Sequence, residues 1–155
     1  DAYYTALIMS SIDKDVILQN YTIDTYQRPK NSKDEICITY GDHSKYISRA
    51  FPSKTEAMED REAVSTKCCK CGRRLRKKIR WFSDNSKNYY CLACCPDHGF
   101  LAGKIHIKKT DDELYFMIKE LRLVNKAEAD LIYEKRNEFR RKRRLKRSQN
   151  ASYHQ

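Results

Sequence analysis

Residues 67–98 read KCCKCGRRLRKKIRWFSDNSKNYYCLACCPDH. Cys68 and Cys71 form one C-x-x-C pair, Cys91 and Cys94 form a second, and nineteen residues separate Cys71 from Cys91. Two such pairs at this distance are the sequence form of a four-thiolate zinc site. Two residues between cysteines let one tight turn aim both sulfurs at one ion, and two turns complete a tetrahedron. The intervening stretch is long enough for a β-hairpin that joins them. The expected ligands are Cys68, Cys71, Cys91 and Cys94, holding about one structural Zn²⁺ per chain.

Three neighbours compete for the same roles. Cys69 adjoins Cys68, but Cys69-x-Cys71 is too short for the usual turn. Cys95 and His98 follow Cys94, and either is a substitute for Cys94 or a ligand of a second site. Packing beside the ion is the plainer reading of both. Cys37 lies far away within Ile36-Cys37-Ile38 and reads as a core residue of a strand. Seven cysteines, an odd number in a basic chain, read as reduced thiols in an intracellular setting.

C-x-x-C-G, a basic stretch with Trp81, and an aromatic run into the second C-x-x-C together resemble a treble-clef finger of the GATA type. The resemblance spans about thirty residues. It implies a β-hairpin packed by Trp81 and a helix whose first turn carries Cys91 and Cys94. A basic tail would follow. The chain departs from the family at Leu92, where an asparagine is usual, and at Pro96 and Gly99, which shorten any helix there.

Outward from this stretch, the chain changes sign. Residues 1–66 hold 8 Lys and Arg against 11 Asp and Glu, a net of −3; residues 67–155 hold 24 against 10, a net of +14. A polyanion would engage the C-terminal part, and residues 1–66 would contact another protein. Residues 67–80 alone carry eight cations and no acid. Arg73, Arg74, Arg76, Lys77, Lys78 and Arg80 are therefore candidate nucleic-acid contacts, with Trp81, Tyr89 and Tyr90 as stacking surfaces for unpaired bases. The competing role of these aromatics is a small core against the metal site.

Upstream, Val16 to Tyr26 reads as a strand, and so does Glu35 to Tyr40, with Lys45 to Ser48 as its hairpin partner. His43 falls in the turn and reads as solvated. Ser53 with Glu56 makes a capping box for a short helix. Downstream, KIHIK at 104–108 alternates like a strand. Thr110 with Glu113 reads as a second capping box, and Leu114, Met117, Ile118 and Leu121 fall at helical spacing. Asn125 with Glu128 starts another helix, with Ala127, Leu131, Ile132 and Phe139 on its apolar side. Those two helices would form a hairpin. The second runs into Arg140, Arg141, Lys142, Arg143, Arg144, Lys146 and Arg147, seven cations in eight residues, a basic arm that also matches a nuclear-import signal.

The expected class is α+β: an acidic β-rich region at 1–66, a zinc-finger module at 67–109, treble-clef or zinc-ribbon-like, two helices with a basic arm at 110–147, and a polar tail at 148–155. No apolar run approaches a membrane span. Catalytic motifs for deaminases, zinc proteases, NTPases and serine hydrolases are absent, and a four-thiolate site has no open position for chemistry. The expected function is a nucleic-acid-binding module, for DNA or RNA, in nuclear or viral gene expression or genome handling. The alternative is a scaffold subunit whose finger is a protein interface.

Overall fold

The computed structural model describes residues 2–13, 29–85 and 87–152. Helix α1 spans Ala2–Ser11. Strands β1 (Ile36–Thr39) and β2 (His43–Ile47) precede a short helix α2 (Lys54–Glu59). Strands β3 (Lys77–Asn85), β4 (Asn88–Cys95), β5 (Gly99–Lys109) and β6 (Tyr115–Val124) follow, then the long helix α3 (Lys126–Ser152). The six strands make one antiparallel sheet in the order β1-β2-β6-β5-β4-β3. Because β2 pairs with β6 and β5 with β6, this sheet runs across the boundaries expected at residues 66 and 109.

Alternation along β5 sorts the two faces. Leu101, Gly103, Ile105 and Ile107 are buried on one side, while Lys104 and Lys108 are exposed on the other. The strap from Arg49 to Leu75, which includes α2, covers the first face. There Ile105, Ile107 and Met117 pack with Tyr46, Phe51, Ala57 and Ala63. Further along, Leu101, Ala93 and Cys95 pack with Cys68, Cys69 and Leu75. Helix α3 covers part of the opposite face, where Ala129 meets Ile79 and Leu92, with Phe82, Phe100, Val124 and Ile132 around them. Full burial of side chains such as Ile79 and Leu92 contributes roughly 1.5–3 kcal/mol each.

Two salt bridges and one cation–π contact of Arg49 hold the strap in place. Arg49 reaches Glu35 and Asp60, both at 2.8 Å, with its guanidinium 4.5 Å from the Phe51 ring centre. Asp60 accepts from the backbone N–H groups of Glu62 and Ala63. Burial pushes its carboxyl up, but these bonds and Arg49 outweigh it and leave the pKa below the usual value. Ser53 caps α2 as expected: its hydroxyl accepts from the N–H of Glu56 at 3.1 Å.

The expected helical hairpin is not formed. Residues 115–124 are strand β6, and Thr110 and Glu113 belong to a β-hairpin turn instead of a helix cap. The Thr110 hydroxyl accepts from the N–H of Leu114 at 3.1 Å, and Glu113 takes a left-handed φ of +62°. Met117, Lys119 and Leu121 form the inward row of β6. Lys119 stands at an inward position where period two calls for an apolar residue, so the sequence here matches helical spacing better. The second helix does start at its capping box: the N–H of Glu128 donates to Asn125 Oδ1 and the N–H of Asn125 to Glu128 Oε2. On α3, Leu131 is exposed, and Ala129 is the residue buried against the sheet. Cys37 is exposed rather than part of the core, since it lies on the edge strand β1. His43 stacks on Tyr40 with ring centres 4.3 Å apart and lies 2.7 Å from Asp42. The strand expected at 16–26 lies outside the described residues.

Candidate metal centre

The first turn of the centre is built by the strap. The N–H of Leu75 donates to the Thr66 carbonyl, and the Thr66 hydroxyl donates to the Leu75 carbonyl. Inside this clasp the N–H of Cys68 donates to Arg73 and that of Gly72 to Cys68. Gly72 takes φ +68°, a conformation that costs glycine little and lets the turn close directly after Cys71. Cys68 is buried and Cys71 exposed.

The second turn joins β4 to β5. Cys95 ends β4, Pro96, Asp97 and His98 form the turn, and Gly99 opens β5 at φ +84°. The chain reverses so tightly that Cys95 pairs with Gly99 in the β4–β5 ladder.

These turns bring together Cys68, Cys71, Cys95 and His98, whose ligand atoms all lie within 4.8 Å of one another. Cys71 Sγ is 3.8 Å from Cys95 Sγ. His98 Nδ1 is 3.6 Å from Cys68 Sγ and 3.5 Å from Cys95 Sγ. Zinc bonds of about 2.3 Å to sulfur and about 2.05 Å to nitrogen, at tetrahedral angles, give edges of about 3.8 Å and about 3.6 Å. The three measured edges have these lengths, so the Cys3His cluster could hold one metal ion. Burial opposes ionisation of Cys95, but hydrogen bonding to His98 and to the backbone N–H groups of Asp97 and His98 brings its thiol down to about 6. A ready thiolate is the form a metal requires.

The four-cysteine set expected from the sequence is thus replaced in part. Cys91 and Cys94 lie within strand β4, not on the first turn of a helix. In a strand, residues three apart point to opposite faces and stand about 10 Å apart, so no C-x-x-C turn forms there. Cys94 is on the α3 side with Leu92. Cys91 is on the strap side but four residues up the strand from Cys95. It is buried against Gly103, and burial, opposed by Lys77, pushes its thiol up to about 12. The sequence does carry the correct signal. Cys68-Cys69-Lys70-Cys71-Gly72 and Cys95-Pro96-Asp97-His98-Gly99 share one form, two ligands around two residues and then a left-handed glycine.

The cations expected to contact nucleic acid divide into groups. Arg73 pairs with Asp97 at 3.0 Å, and Arg74 with Glu62 at 3.1 Å, where Lys67 also bonds. Among the described residues, Arg76, Lys77, Lys78 and Arg80 make no ion pair of this kind. Trp81 is half-buried in the strap-side core, and its indole N–H donates to the Val64 carbonyl at 2.9 Å. Tyr89 also packs there. Tyr90, on the other face, has Lys135 of α3 3.5 Å from its ring centre and Phe82 beside it. The cations at 140–147 lie on the exposed second half of α3, where Lys142 pairs with Glu138.

Lys119 is the charged residue that sequence reasoning passed over. It is buried, and its Nζ donates to the carbonyls of Ser65 at 2.9 Å and Glu62 at 3.0 Å, fixing the chain just ahead of Cys68. Desolvation, only partly offset by Glu62, lowers its pKa to about 8. No helix among the described residues is long and apolar enough to cross a membrane. No family model matches the chain, and neither a curated protein nor a solved structure matches it.

Proposed function

We propose that this chain is a nucleic-acid-binding module whose strap and sheet are tied by a structural zinc ion at Cys68, Cys71, Cys95 and His98. Four protein ligands leave no open coordination position, so the ion's role is architectural. The observation that carries the binding role is helix α3. Its first half is anchored on the sheet as far as Phe139, whose ring centre is 6.1 Å from that of Phe82. Its second half continues as an exposed helix with seven cations in eight residues. Close like charges repel, and a polyanion relieves that cost. Such an arm supplies affinity for phosphates without reading bases.

The test is equilibrium binding of the full chain to DNA and RNA oligonucleotides across a salt series. The proposal expects log affinity to fall linearly and steeply with log salt. Binding that is absent at low salt would reject it. A protein partner is the second reading, favoured by α1, where Tyr3, Tyr4, Ile8 and Met9 are all more than half exposed. That partner would bind with an affinity that survives salt.

A further inference from the structure

A groove of about 570 Å³ lies between the strap and β3, next to the metal centre. Met58, Val64, Leu75 and Trp81 give it apolar walls. Its rim is cationic, with Arg76 and Arg80 exposed and Lys77 half-buried. Whereas Lys67, Arg73 and Arg74 are neutralised by Glu62 and Asp97, the three rim cations have no carboxylate within ion-pair distance among the described residues. Burial holds Lys77 below the ordinary lysine range, and Cys91 offsets this only in part. The groove therefore combines apolar surface with three uncompensated positive charges.

We infer that this groove binds one unpaired nucleotide of a nucleic-acid strand, its base against the apolar walls and its phosphate on Arg76, Lys77 and Arg80. The inference rests on the nucleic-acid reading above and adds single-strand selectivity to it. Duplex bases are paired and stacked, so a duplex offers this concavity phosphates but no free base. An unpaired nucleotide offers both. An acidic peptide also carries charge, but on flexible side chains that must be ordered to deliver it, whereas a phosphodiester holds its charge on the backbone. Leu75 packs with Cys68 and Cys95, so the metal turn backs one wall of the groove.

Trp81 is the only tryptophan in the chain, so its fluorescence reports on this groove alone. The full chain is titrated with a short oligothymidylate, with a hairpin duplex of equal charge, and with a glutamate-rich peptide. Each ligand carries a dye, so anisotropy records binding independently of Trp81. The expected result is saturable quenching of Trp81 by the oligothymidylate and none by the duplex, although the duplex binds through α3. The double variant Arg76→Ala/Arg80→Ala changes two exposed residues. It should raise the single-strand Kd about tenfold and lower its salt slope by about 1.4, with a smaller loss of duplex affinity. Single-strand binding with unaltered Trp81 emission would overturn the groove while leaving the nucleic-acid reading intact. No anisotropy change with either oligonucleotide would remove that reading and the inference with it. Quenching by the peptide alone would overturn the inference in favour of a protein ligand.

Discussion

Cys71 Sγ stands 3.8 Å from Cys95 Sγ across 24 residues of chain. The first belongs to the strap and the second to the end of β4, so an ion between them fastens two elements that the backbone joins only through β3. Elemental analysis of the purified chain should return about one zinc per molecule. Cys95→Ser or His98→Ala should lose it, and Cys94→Ser should retain it. Retention by Cys95→Ser with loss in Cys94→Ser would restore the four-cysteine set. Removal of the metal by a chelator should loosen the strap first, seen as faster amide exchange from Thr66 to Leu75.

Gly103 faces Cys91 so closely that a Cβ there would lie 2.4 Å from Cys91 Sγ and 2.7 Å from Trp81 Cη2. Gly103→Ala should destabilise the fold by roughly 1–3 kcal/mol. Cys91→Ala removes the nearer atom, so the double variant should recover part of that loss. Zinc content should be unchanged throughout, because Cys91 is a packing residue. Urea unfolding of the four proteins measures the coupling, and strict additivity would show that the close approach is relieved some other way.

Lys119 gives stability an unusual pH dependence. Its folded pKa, about 8, lies below the ordinary lysine value of 10.5. Below pH 8 both states hold the proton and the cost of burying the charge is present in full. Between pH 8 and 10.5 the unfolded chain binds more protons than the folded one, so stability rises with pH by an amount on the order of 3 kcal/mol. Lys119→Met lacks this gain. The difference between the two proteins in urea unfolding should therefore shift in favour of Lys119 across that window, and a difference flat with pH would refute the assignment.

The arm and the groove should separate in function. Truncation after Phe139 should weaken binding to single strands and duplexes about equally and lower both salt slopes. Replacing Arg140, Arg141, Arg143 and Arg144 with alanine should also abolish nuclear import of a fused reporter in a eukaryotic cell. Unchanged localisation would remove the import role and leave the binding role standing.

Local signals in this chain were legible and long-range ones were not. The capping boxes at Ser53/Glu56 and Asn125/Glu128 work because both partners lie within one turn, and α2 and α3 begin where they indicate. The same pattern at Thr110/Glu113 misled, since a threonine hydroxyl caps a hairpin turn by similar bonds. Lys119 concealed the alternation of β6 because its carbonyl partners, Ser65 and Glu62, lie more than fifty residues away. The metal site was legible as a cysteine-rich pair of turns. Its second half lies at Cys95-Pro96-Asp97-His98 instead of Cys91-x-x-Cys94, because Gly99 follows His98 with a left-handed φ and no glycine follows Cys94.

One property of α3 reaches beyond its net charge. With seven of the eight positions from 140 to 147 basic, the arm presents positive charge at every azimuth around its axis. Its direction is set by the packing of Ala129, Ile132 and Phe139, but its rotation about that direction carries no information. Inserting one alanine after Phe139 would twist the arm by about 100° and advance it by about 1.5 Å. The twist would be invisible to a phosphate backbone and only the advance would register. Length is thus the arm's adjustable dimension: it tolerates insertions of any phase and responds to them as a spacer.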